Sequence, residues 1–136
     1  MTMFEMHQKV LFKHCDPAGI VFYPRYFEMI NDCVEAFFDQ ALEAPFEELH
    51  KSGGVPTAQI QTRFAAPSRH GDNLVLRLKI TKLGRTSAQY HFTAHCDKEL
   101  RIETTATLVN VNVEGRPKPW SDDLRTKLAE FKDDTP

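Results

Sequence analysis

Between Tyr26 and Leu42 the apolar residues Phe27, Ile30, Val34, Phe37, Phe38 and Ala41 recur at steps of three and four, while Glu28, Asn31, Asp32, Glu35 and Asp39 occupy a narrower polar stripe. A helix with an apolar surface that broad is not satisfied by one flat neighbour, so the rest of the chain must curve around it. Pro24 suits the first helical turn, where a backbone N–H would lack a partner anyway, and sets the start near Tyr23. Ala44-Pro45 marks the end, because a residue before proline is pushed out of the helical region. A short helix is expected at 46–51, ahead of Gly53-Gly54.

What surrounds this helix has period two. Phe4, Met6, Val10 and Phe12 alternate with Glu5, Lys9 and Lys13, predicting a first strand over 4–13 with one covered face. Three later runs, 58–64, 74–80 and 87–96, each carry one apolar and one more polar face, as in an antiparallel sheet packed on one side. The fourth, 101–113, changes parity between Leu108 and Val109; a bulge, or burial of both faces at a subunit contact, would account for the switch. Residues 83–86 and 97–100 read as hairpin connections, and Ser121 as the cap of a terminal helix through Leu124, Leu128 and Phe131. The fold class expected is α+β: a five-stranded antiparallel sheet curled around a long central helix. A chain of 136 residues, 41% of them apolar, suits a single domain spanning 1–136.

The remaining composition narrows the function. A formal charge of -2 gives no global basic field for nucleic acid or an anionic membrane. The N-terminal residues scatter charge through their apolar positions, unlike a secretory signal, and no run approaches the ~18 apolar residues of a membrane span. The expectation is a soluble, cytoplasmic protein. The 3 cysteines, Cys15, Cys33 and Cys96, are odd in number and lack a C-x-x-C pair, arguing against disulfides and structural zinc. His91 and His95 share a strand face but stand about 13 Å apart along it, too far for one metal ion.

One stretch carries chemistry: HCDPAGIVFYPRYF, residues 14–27. It sets a carboxylate, Asp16, in a turn that leads into the helix, beside the free N–H groups and positive dipole of the helix start. Such an end can polarise a carbonyl while the carboxylate attacks it or activates water. Gly19 lets backbone approach a ligand closely. Asp-Pro is also ordinary turn chemistry, and from pattern alone Asp16 could serve only the turn. Glu28, Asp32 and Glu35 on the helix stripe are reserve carboxylates. Cys15 lacks a readable histidine and acid partner arrangement for a nucleophile.

The run Asp16-Pro17-Ala18-Gly19-Ile20-Val21-Phe22-Tyr23-Pro24-Arg25-Tyr26 resembles the motif of hotdog-fold acyl-CoA thioesterases of the 4-hydroxybenzoyl-CoA thioesterase type. Gly54-Val55-Pro56, Pro67, Gly71-Asp72 and 82–87 extend the likeness over roughly 7–131. The resemblance implies that Asp16 is the catalytic carboxylate, nucleophile or general base, and that the Tyr23 backbone N–H polarises the thioester carbonyl. It implies an acyl-CoA substrate, aryl or aliphatic, with CoA as part of the substrate and no separate cofactor or metal. Arg85 and Ser87 fall where the nucleotide end is gripped, with Lys82 and Arg63 as further candidates. Assembly as a homodimer or homotetramer is also implied. Many relatives carry an aspartate where this chain has His14; a solvent-facing His14 is expected, with a hydrogen bond to Asp16 as the other reading. The competing classes are a hotdog protein that binds acyl-CoA or acyl chains without cleaving them, and an acyl-CoA dehydratase, for which no His-plus-acid motif is seen.

Overall fold

The computed structural model describes residues 2–133. The strands are β1 (Phe4–Lys9), β2 (Thr57–Phe64), β3 (Asn73–Leu83), β4 (Ser87–Cys96) and β5 (Glu99–Val109), and the helices α1 (Tyr23–Ala36), α2 (Phe46–Leu49) and α3 (Asp122–Glu130). The strands form one 5-stranded sheet in the order β1-β3-β4-β5-β2, every neighbouring pair antiparallel. α1 continues through a wider turn at Phe37–Ala41, closed by Leu42 N–H to Phe37 O. Two consecutive phenylalanines are buried at that turn, edge to face at 5.9 Å, Phe37 also packing on the rings of Phe4 and Phe131 and Phe38 on Phe46.

The helix buries Met29, Ile30, Cys33, Val34 and both phenylalanines against the inward residues of the sheet: Leu74, Leu76, Leu78 and Ile80 of β3, Tyr90, Phe92 and Ala94 of β4, and Ile102, Ala106 and Leu108 of β5. At about 1.5–3 kcal/mol for each large side chain removed from water, this seam dominates stability. Register skips leave an extra residue at Ala58 in β2, Thr81 in β3 and Arg101 in β5. Such bulges bend a strand and raise its twist, which is how the sheet curls.

Four expectations need correction. The first strand stops at Lys9: Leu11–His14 close a tight turn in which His14 Nδ1 accepts the Leu11 N–H at 2.8 Å, so Val10 points inward while Phe12 is 80% exposed. The second helix is only Phe46–Leu49, running out in turns before Gly53. The parity switch after Leu108 is not a bulge: β5 ends at Val109, and Val111 leaves the sheet to bridge Gly54 and Pro117. β2, expected to have a covered face, is an edge strand open on both sides, with Ile60 and Phe64 43% and 49% exposed. The Ser121 cap is present, its hydroxyl accepting the Leu124 N–H at 3.2 Å.

Candidate active site

The motif turn is built as a small hairpin. Cys15 bridges Val21, Asp16 N–H donates to Ile20 O at 2.9 Å, Gly19 N–H to Asp16 O at 2.9 Å, and Phe22 N–H to His14 O at 2.9 Å. Gly19 has φ +80°, a conformation that side chains with a Cβ rarely adopt. Asp16 Oδ1 accepts the Ala18 N–H at 2.9 Å, a local Asx turn. Its Oδ2 has no hydrogen bond among the described residues, and the side chain is half-buried. The carboxylate is therefore oriented without being neutralised.

It faces a cleft of about 510 Å³ whose other walls are Val21, Tyr23 and Tyr26 on one side and Phe64 to Pro67 on the other. α1 begins at this cleft. Phe22 is its cap residue and supplies no side-chain acceptor; Pro24 has no N–H; the Arg25 N–H is taken by Phe22 O at 2.8 Å. Tyr23, as first helical residue, has no intrahelical acceptor, so its N–H is the open donor at the positive end of the helix. Asp16 and Tyr23 thus line one cleft, whereas Gly19 shapes the turn but lies exposed outside the cleft lining.

A second groove of about 700 Å³ runs along the seam between α1 and the open strand, lined by Phe27, Ile30, Val34, Ile60, Tyr90 and Leu108. Phe64 stands where the two spaces adjoin, its ring 6.3, 6.0 and 6.5 Å from those of Tyr23, Tyr26 and Phe27.

The other candidates lie elsewhere. Lys82 near the end of the 11-residue β3, Arg85 in the turn after it and Ser87 at the start of β4 lie at the β3–β4 hairpin, roughly 30 Å along the sheet from the cleft of the same chain. There the Arg85 and Ser87 carbonyls hold Trp120, and Arg125 donates to Gly84 O. Arg63 adjoins the cleft in sequence but points to the outer sheet face, 3.4 Å from Glu103. Glu103 also binds His91 at 2.8 Å, and that bond, chiefly, lowers its pKa.

His14 is buried, contrary to the expectation of a solvent-facing ring, because 12–14 is a tight turn rather than extended chain. It neither shares a face with Asp16 nor bonds to it: its ring lines a separate cleft with Arg25, Glu28 and Asp32. Burial, and next the charge of Lys13, lower its pKa from the usual 6.5. Glu28, Asp32 and Glu35 are exposed, Glu28 pairing with Arg25 at 3.1 Å. Cys33 is fully buried and its thiol is pushed up to about 12 by that burial. No group of three metal-ligating side chains occurs among the described residues.

A set of residues that sequence reasoning missed supports the cleft from behind. Tyr26 OH donates to Ser68 Oγ at 2.8 Å, and Arg101 Nη1 reaches Ser68 Oγ at 3.2 Å, Pro67 O at 3.0 Å and Asp72 Oδ2 at 2.7 Å. The signals available were slight: an arginine in an otherwise apolar-alternating strand, and a serine between Pro67 and Gly71-Asp72.

Comparison with known proteins agrees with this architecture. Residues 10–128 match the model of the thioesterase-like superfamily. A 1,4-dihydroxy-2-naphthoyl-CoA hydrolase from Prochlorococcus marinus (strain MIT 9303) is 23% identical over 119 residues, covering 82% of this chain and 79% of that protein. The crystal structure of a 1,4-dihydroxy-2-naphthoyl-CoA thioesterase from Synechocystis superposes with a TM-score of 0.87 at 18% identity, covering 99% of this chain and 100% of the other. A gentisyl-coenzyme A thioesterase superposes with a TM-score of 0.84 at 25% identity, covering 92% and 99%. The sheet wrapped on its central helix is the hotdog fold, and with 10–128 matched the chain belongs to the thioesterase-like superfamily.

Proposed function

We propose that the protein is an acyl-CoA thioesterase whose reacting carboxylate is Asp16. The observation that carries this reading is one cleft holding both an aspartate oxygen without a partner and the open Tyr23 N–H at a helix start. A thioester carbonyl seated between them accepts the Tyr23 N–H, which stabilises the negative charge that develops on oxygen when the carbon is attacked. Asp16 then acts in one of two ways. It attacks the carbonyl carbon, expelling the CoA thiolate and leaving a mixed anhydride that water hydrolyses, or it takes a proton from water as the water attacks. The leaving thiolate has a pKa of about 8.5 by analogy with cysteine, so no strong general acid is needed.

The apolar walls of the cleft and groove suit an aryl ring or a short to medium aliphatic chain, and the named relatives act on aryl thioesters of CoA. The CoA phosphates need cationic or N–H donors. Lys82, Arg85 and Ser87 serve that role from a second copy of the chain docked on the open edge of β2. We take the working unit to be that homodimer of single hotdog domains, alone or paired into a tetramer. Among the described residues no helix is long and apolar enough to cross a membrane, and cytoplasmic acyl-CoA is the accessible substrate pool.

Thiol release from benzoyl-, phenylacetyl-, hexanoyl- and decanoyl-CoA, with wild type and Asp16→Asn, tests the reading. At least one substrate should turn over, and the variant should lose at least about 100-fold in kcat. Binding of all four with no Asp16-dependent turnover would identify a carrier instead of an enzyme.

A further inference from the structure

The Asp16 turn is bonded to itself more than to the rest of the fold. Apart from short-range bonds to its chain neighbours, from His14 to Leu11 and Cys15 to Phe12 and from Arg25 to Phe22, its backbone bonds among the described residues run to one segment: Val21 N–H donates to Ser68 O at 2.8 Å, and Ile20 bridges Arg69. Where that segment sits decides where the turn sits. The same segment, with Ala65 and Ala66 before it, forms the cleft wall opposite the helix.

One residue holds the segment at every level. The Arg101 carbonyl, at the β5 bulge, accepts both the Ala65 N–H at 2.8 Å and the Ala66 N–H at 3.2 Å. Its guanidinium, 12% exposed, donates to Pro67 O, Ser68 Oγ and Asp72 Oδ2. Its Nε lies 2.8 Å from Glu99 Oε1, an ion pair whose N–H direction misses hydrogen-bond geometry. Asp72 in turn accepts the Arg69 N–H at 2.9 Å, and Ser68, fully buried, ties the set to the helix through Tyr26 OH. Tyr26 lies one helical turn from the open Tyr23 N–H and lines the cleft itself.

Stability alone does not call for an arginine here. A partly buried ion pair such as Arg101–Asp72 gains little over apolar side chains of similar volume, because withdrawing the charges from water offsets much of their attraction. A guanidinium offers something an apolar residue cannot: a rigid fork that fixes several acceptors relative to one another. We propose that Arg101, with Asp72, Ser68 and Tyr26, is a positioning network that sets the Asp16 turn against the start of α1, so that turnover depends on it. None of the four is a catalytic residue; each acts through the placement of Asp16 and Tyr23. The inference rests on the thioesterase reading above.

The test separates placement from folding. Wild type, Arg101→Lys, Ser68→Ala and Tyr26→Phe are compared for Tm, for kcat with whichever of benzoyl- or hexanoyl-CoA is turned over, and for Kd of the matching thioether, S-benzyl- or S-hexyl-CoA. Rates are taken well below every Tm. Misplacing reacting groups by about 1 Å costs on the order of 100-fold, so Arg101→Lys should lower kcat by about 10- to 100-fold with Kd changed less than about threefold. Ser68→Ala, which keeps the carbonyl that holds Val21, and Tyr26→Phe should each lower kcat by about three- to tenfold. A lowered Tm with wild-type kcat, or a loss appearing only in Kd, would overturn the inference. Should Arg101→Lys fail to fold, the other two variants decide by the same comparison. A wild type inert on every CoA thioester overturns the thioesterase reading instead.

Discussion

Asp16 and His14 sit two positions apart and are held by opposite logic. Asp16 keeps one oxygen in an Asx turn and the other open, so its turn depends on Gly19, where φ is +80° and no atom lies within 4 Å of an added Cβ. Gly19→Ala therefore meets only backbone strain, about 1–2 kcal/mol, and should lower Tm modestly while reducing kcat more than KM as the turn shifts. His14 is inside, neutral and accepting. Burial lowers its pKa, as burial followed by Arg77 lowers that of His95. Below the ordinary value of about 6.5 the unfolded chain binds protons that the folded chain refuses. The stability these residues contribute is thus complete above that value and is lost as pH falls toward their folded pKa values. The unfolding free energy in urea should drop between about pH 7.5 and about pH 5.5. His14→Phe should start lower by about 1–3 kcal/mol, because the Leu11 N–H loses its acceptor, yet lose less over that interval; an equal pH slope would show that His14 is not held neutral.

At the scale of elements, the seam between α1 and β2 sets what the cleft can take. Phe64, half exposed on an edge strand, contacts three rings of the helix where the cleft meets the larger groove. Phe64→Ala should join the two spaces at little cost in stability, raising kcat/KM for decanoyl-CoA relative to hexanoyl-CoA by about tenfold, a gain in the range of a few buried methylenes. An unchanged chain-length profile would show that the acyl group does not run along the seam. The helix of this seam was legible in the chain because its period is unbroken from Phe27 to Phe38, and the sheet because β4 alternates throughout and β3 keeps one apolar parity from Leu74 to Ile80. Asp16 and the helix start were legible together because they are adjacent in sequence. His14 was misread because the parity of Val10 and Phe12 masks a tight turn closed by one side-chain bond. The Arg101 network was invisible for a different reason: its members, Tyr26, Ser68, Asp72 and Arg101, meet only when three separate elements have folded, and no local period marks them.

For the whole molecule, the open edge decides whether one chain makes a complete site. Ala65 donates to Arg101 O across the β2–β5 ladder, and alternate residues of an antiparallel strand face the same way. Arg63 and Gln61 therefore turn their backbone groups to β5, while Phe64, Thr62 and Ile60 turn theirs outward, unpaired, along a strand exposed on both faces. A free edge of this kind is a template for a second strand, and in the homodimer proposed above a two-fold axis would pair it antiparallel with its own copy. The Thr57 end of β2 lies with the β3–β4 hairpin, since Thr57 pairs Leu108 and Ser87 pairs Val109, whereas its Phe64 end borders the cleft. Antiparallel docking thus carries the Lys82, Arg85 and Ser87 end of one copy toward Asp16 of the other, spanning the roughly 30 Å that separates them within a chain. Complementation reads this directly. Arg85→Ala alone should raise KM for the CoA thioester and leave kcat near wild type; Asp16→Asn alone should be inactive. Unfolding and refolding the two together at equal amounts makes half of the dimers mixed, each with one site built from an intact Asp16 and an intact Arg85. Low-KM turnover should then return at about a quarter of the wild-type rate per chain, one site in four being whole. If Asp16 and Arg85 of the same chain served one site, no mixture would contain a whole site and the low-KM component would be absent.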